Sequence, residues 1–244
     1  MRRRNSKAGN AAGFSLIEMV IAMTVTLVVM GIASTLLARA FNVRKHEDQR
    51  SDALADAQRT LNMMSHEIAN AGFNLTTNGI IDSDSGVDAN GNGSIRVRAN
   101  LNKFDSDVSQ AARDGIGVVG EDAGEDVKFF VTPTADTSYL VRYDAYAANQ
   151  ATVLANRIDS LRVQYYDEKV TYTTGTCAAP LSNVKNSAGV AEAQVAPSAA
   201  SYVVVAVCVQ LPATGTPGEP GYQPASPILL ATDVALRNVI ASDY

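Results

Sequence analysis

From Met19 to Ala38 the chain contains no Asp, Glu, Lys, Arg, His, Asn, Gln or Pro. At about 1.5 Å per residue, twenty helical residues cover about 30 Å, the hydrocarbon thickness of a bilayer. The pattern predicts a helix that can cross a membrane. Arg39 to Arg50 is then strongly charged, yet neither proline nor glycine interrupts it. Apolar positions recur at Leu54, Ala57, Leu61, Met64, Ile68 and Ala71, in steps of three and four. That spacing draws one stripe along an α-helix. Gly72 offers a C-terminal stop. One continuous helix from about Phe14 to Ala71 is expected. Its second half lays its stripe on a globular core; the heptads are too few for an independent coiled coil.

Beyond Gly72 the period changes to two. Short β-branched and aromatic runs at Ser94–Ala99, Asp126–Val131, Ser138–Ala145, Ala151–Arg157 and Ser160–Asp167 predict strands. Pro133 and its polar neighbours predict a hairpin between two of them. Asn156–Ser160 is expected as a short connector. Thr171–Ala200, rich in Ala, Ser, Thr, Asn and Val, is expected as a long surface excursion. Tyr202–Leu211 is the most apolar strand and is expected at the centre of a sheet. The Pro- and Gly-rich stretch Pro212–Pro227 is expected as a loop. Ile228–Val239 is expected as the last strand.

Length and composition change this picture little: 244 residues, 46% hydrophobic and 18% charged, suit one medium domain plus an anchor. Charge adds orientation. Arg2, Arg3, Arg4 and Lys7 precede the apolar run and belong on the cytoplasmic side, with the rest of the chain outside. Setting those four aside leaves 16 basic against 25 acidic residues, a net of −9 from Phe14 onward. An acidic ectodomain argues against nucleic acid as a general partner. A secretory signal peptide would share the basic start. The apolar run is too long for one, however, and no Ala-x-Ala site follows before Arg39.

Candidate chemistry is sparse. Glu18 stands alone at the edge of the apolar helix. It is either a functional carboxylate awaiting a partner or a residue at headgroup depth. His66-Glu67 opens like a zinc-protease helix, but Asn70 occupies the second histidine position. The only histidines, His46 and His66, both lie in the long helix, which argues against an enzyme. Asp88, Asn90 and Asn92 with Gly93 match the start of a calcium loop, with Asp82 or Asp84 as a candidate for its missing carboxylate. Ala99 stands where the closing glutamate belongs, so ordinary turn chemistry competes with calcium binding. Cys177 and Cys208 either pair as a disulfide outside the cytoplasm or remain two free thiols.

Gly13-Phe14-Ser15-Leu16-Ile17-Glu18, after a basic leader and before an uncharged helix, resembles the type IV prepilin signal shared by type IV pilins and type II secretion pseudopilins. The resemblance implies a pilin-like α+β fold: one long N-terminal transmembrane and amphipathic helix packed on an antiparallel β-sheet domain. It also implies cleavage by a prepilin peptidase between Gly13 and Phe14, methylation of Phe14, and Glu18 as the fifth mature residue. That carboxylate would meet the new amine of a neighbouring subunit during assembly. Residues 1–13 would be the cleaved leader and 14–40 the transmembrane or filament-core helix. Residues 41–72 would continue the helix, and 73–244 would form the periplasmic or extracellular domain. Many major pilins carry a proline inside the apolar helix; this chain has none between Phe14 and Gly72.

A narrower resemblance rests on Tyr139–Asp144, Val153–Asp167, Val234–Asn238 and Glu67–Phe73. These stretches are similar to the minor pilin W and pseudopilin J group, low-copy subunits at or near filament tips that help start assembly. Implied partners are the major pilin, other minor pilins or pseudopilins, the inner membrane assembly platform, and the membrane itself before assembly. The alternatives are a minor pseudopilin of a type II secretion system and a membrane-anchored module that binds a ligand or surface.

Overall fold

The computed structural model describes residues 14–87, 92–101, 123–133, 138–219 and 221–238. Helix α1 runs unbroken from Leu16 to Ala69. Among the described residues ten strands follow: β1 (Gly86–Val87), β2 (Gly93–Arg98), β3 (Asp126–Pro133), β4 (Ser138–Asp144), β5 (Ala151–Asn156), β6 (Ile158–Tyr166), β7 (Thr171–Thr174), β8 (Leu181–Lys185), β9 (Tyr202–Leu211) and β10 (Ser226–Ala235). They form three antiparallel sheets, ordered β1-β2-β3-β4-β5, β10-β9-β6 and β7-β8. This is the expected pilin-like α+β architecture, a long N-terminal helix whose second half packs on antiparallel strands.

The chain divides into two compact units. One comprises Met1–His46 with Thr214–Gln223, the other Glu47–Ala213 with Pro224–Tyr244. In the second unit the helix stripe meets the inner faces of both larger sheets. Ala53, Ala57, Leu61, Met64 and Ile68 share one core with Ile95, Val97, Phe129 and Leu140 from one sheet and Leu161, Val205 and Val207 from the other. The stripe begins at Ala53 rather than Leu54, which is only half-buried.

Gly72 ends the helical run in a left-handed conformation, φ 74°. A Cβ there would lie 2.6 Å from the Thr77 carbonyl oxygen. The carbonyls left open at a helix end must be paired elsewhere. The Arg237 amide donates to Ala69, and the Asn238 side chain donates to Asn70 and Ala71, at 3.2–3.4 Å. The closing segment of the chain thus seals the end of the helix.

Several boundaries differ from the sequence expectation, each for a physical reason. The connector between β5 and β6 is Arg157 alone, in a left-handed turn at φ 60°. β6 starts at Ile158, not Ser160, because the fully buried Ile158 already packs in the core. That single residue carries the chain from one sheet to the next. Gly93 lets the two sheets approach, since a Cβ there would lie 2.8 Å from the Leu161 carbonyl oxygen. β10 begins at Ser226, earlier than expected, and tolerates Pro227 because it is an edge strand. Its last residue is Ala235; the described chain beyond it turns to cap α1.

The largest departure is Thr171–Ala200. It contains the β7–β8 hairpin, whose Tyr172, Leu181 and Val184 pack on Tyr166, Val170, Tyr202 and Val204 as a second, smaller core. β9 is therefore covered on both faces, which accounts for its unbroken apolar run Tyr202–Val209.

The N-terminal helix and the candidate assembly site

Residues 14 to 41 of α1 are exposed at every position. A surface this long and this apolar requires lipid or other helices around it. α1 is long and apolar enough to cross a membrane. Four hydroxyls interrupt the apolar run, and all four are satisfied within the helix. Thr24 donates to the Ile21 carbonyl, Thr26 to Ala22, Ser34 to Met30 and Thr35 to Ile32, at 2.7–2.9 Å. No backbone or hydroxyl group of this stretch then needs water, the condition a bilayer or dry bundle core imposes. The sequence marks these positions only as serines and threonines; the bonds explain why they are tolerated.

Gly13, the residue before the expected cut, lies outside the described residues. Phe14 is 83% exposed. The Ser15 carbonyl accepts the amides of Glu18 and Met19 at 3.0 and 3.2 Å and starts the helix. Glu18 falls in the first turn, where a negative charge meets the positive end of the helix dipole. Among the described residues it makes no ion pair. Phe14 and Glu18 lie four residues apart at the head of the exposed helix.

The other sequence candidates are placed as follows. Cys177 and Cys208 are joined by a disulfide with a Cα–Cα separation of 5.5 Å. Asp88 and Asn90 lie outside the described residues, and Asn92 sits just before β2. Asp82 and Asp84, the reserve carboxylates for a calcium loop, are committed to protein donors. The amide and hydroxyl of Ser198 donate to Asp82, both at 2.7 Å. Lys128 and Arg96 donate to the two oxygens of Asp84 at 2.7 and 2.6 Å. Among the described residues no group of three or more His, Cys, Asp or Glu side chains is placed to hold a metal.

Two ion-pair networks lay beyond sequence reasoning. Arg142 joins Glu67 of α1 (2.9 Å) to Asp144 of its own strand (3.0 Å). Burial raises the Glu67 carboxyl above its ordinary value, with Arg142 opposing the shift. Arg96 and Arg98 converge on the buried Asp126. Glu67 and Arg142 are 75 residues apart, so no local spacing signals them. Both tie strands or helix within the second unit and serve the fold.

Residues 9–34 match the model of the prokaryotic N-terminal methylation motif. No curated protein and no solved structure matches the chain. The motif supports a type IV pilin-like or pseudopilin protein, a structural rather than enzymatic class. It implies processing by a prepilin peptidase, membrane anchoring through α1 and assembly with other pilins.

Proposed function

We propose that this chain is a minor pilin, a low-copy structural subunit that primes assembly and sits at or near the tip of a type IV pilus. Prepilin peptidase cuts between Gly13 and Phe14 and methylates Phe14. The subunit then waits in the inner membrane, C-terminal domain outside, until the assembly platform draws it into the fibre. One observation supports the pilin reading: the methylation motif heads an apolar segment, exposed from residue 14 to residue 41, whose one carboxylate, Glu18, makes no ion pair among the described residues.

The physical step is charge pairing in a dry environment. Cleavage creates a cationic amine at Phe14. Packed against another subunit, Glu18 meets that subunit's amine, and the two charges neutralise each other. Mismatched axial positions leave both unpaired, so pairing also fixes register. Losing one partner of a buried pair costs about 3–5 kcal/mol. The minor role is supported by the uninterrupted helix, without the proline common in major pilins. It is further supported by the junction between two stretches similar to the minor group, where Arg237 and Asn238 cap the helix end at Ala69–Ala71.

Glu18→Ala tests the proposal in cells. The variant should accumulate in the membrane at normal levels and be depleted from sheared filaments. Deletion of the whole chain should reduce filament number without changing filament morphology. Normal incorporation of Glu18→Ala, or undiminished filament number on deletion, contradicts it.

A further inference from the structure

We infer that Thr171–Glu192 is a latched cover over the back of the three-stranded sheet, with the Cys177–Cys208 disulfide as its latch. The backbone supports a separable element. Among the described residues β7 and β8 pair only with each other, and the Lys185–Ala191 bridge and the Glu192 amide to Val184 carbonyl bond are internal to the cover. Most cover residues are exposed. Its ties to the rest of the domain among the described residues are few: the small core under Tyr172, Leu181 and Val184, the Tyr172 hydroxyl to Asp233 at 3.4 Å, the Ser187 hydroxyl to Glu168 at 3.2 Å, and the disulfide.

The chain on the return side is held quite differently. The Val195 amide donates to the Tyr165 carbonyl, Ser198 binds Asp82 twice, and the buried Asn78 side chain donates to Pro197 and Ala200. Those bonds fix residues 195–200 to the main body and mark where the cover ends. On the other side the buried Val170 marks where it begins. None of the cover's side chains belongs to the large core shared by α1 and the two main sheets. Opening the cover therefore uncovers Tyr166, Tyr202 and Val204 while leaving that core closed.

A dithiol reductant works the latch. Cys177 is half-buried and Cys208 is 1% exposed, so the incoming thiolate attacks the Cys177 sulfur. The S–S bond breaks, and Cys208 leaves as a thiolate and takes a proton. The second thiol of the reductant then displaces Cys177, which is also protonated. Two electrons and two protons reach the protein, and the reductant ends as a disulfide.

The test is hydrogen exchange on the mature full-length chain in detergent, with and without dithiothreitol, reduction being verified by thiol alkylation. Amides of 171–192 should exchange at least about tenfold faster after reduction, the mark of local opening. Trypsin should newly cut at Lys185, while α1 from Glu47 to Ala69 and the core strands keep their protection. Cys177→Ser leaves Cys208 in place in β9 under the cover and should show the same pattern without reductant. Unchanged exchange in 171–192 of the alkylated protein overturns the inference, and so does simultaneous loss of protection across all strands.

Discussion

Asp126 holds two arginines at once. Its oxygens accept from Arg96 at 2.6 and 2.8 Å and from Arg98 at 2.9 Å. Asp126→Asn strips charge from a buried acceptor that serves both. It should destabilise the domain by about 1.5–3 kcal/mol, the scale of hydrogen bonds to charged groups, measured by denaturant titration. Asp84 carries the pH dependence of the same network. Lys128 first and Arg96 second hold its carboxyl below the ordinary value of 3.8. The folded state therefore binds that proton less tightly than the unfolded chain does. The stabilisation is present above 3.8 and fades as pH falls through the lowered value. Asp84→Asn should melt lower than the natural chain at pH 7, with the gap closing in acid. Glu67 has the opposite sign. Burial raises its carboxyl above 4.5, so its contribution is present below that pH and fades as pH rises through the raised value. Glu67→Gln should melt no lower than the natural chain at pH 7, while Arg142 keeps Asp144. A clear drop in its Tm would contradict that sign.

The two halves of α1 answer to different environments, and substitutions separate them. Met64 is fully buried, so Met64→Ala should cost about 2–5 kcal/mol of domain stability in a denaturant melt. Leu27 is 69% exposed, so Leu27→Ala should leave that melt unchanged and act only where lipid or a neighbouring helix surrounds it. Gly72→Ala combines a left-handed backbone with a clash against Thr77 and should cost more than about 1 kcal/mol. The helix was legible because its periods are long and unbroken: an uncharged run, then a three-four stripe, then glycine. β2 to β6 and β9 were legible because alternation or continuous apolar content survives in six to ten residues. β7 and β8 were not, because they are short and largely exposed, and nothing in their side chains alternates. The split into separate sheets was also hidden. It turns on Arg157 alone, a residue with no sequence signature for a left-handed turn.

At the scale of the molecule, a domain rich in strands is attached to a helix with no internal reason to stay exposed. The proposal rests on the head of that helix, where cleavage, insertion and pairing would each require a residue type at a fixed place: Gly13, the apolar run, Glu18. What the sequence concealed is how the domain closes on the helix end, since Asn238 and Ala71 are brought together across 167 positions. We propose, above all, that a peptidase exposes Phe14 and that the trimmed subunit joins a fibre. Mass spectrometry of sheared filaments tests it most directly. The account predicts a low-copy chain whose first residue is N-methylated Phe14. A filament-associated chain still carrying Arg2–Arg4, or filaments that lack the chain altogether, would contradict it.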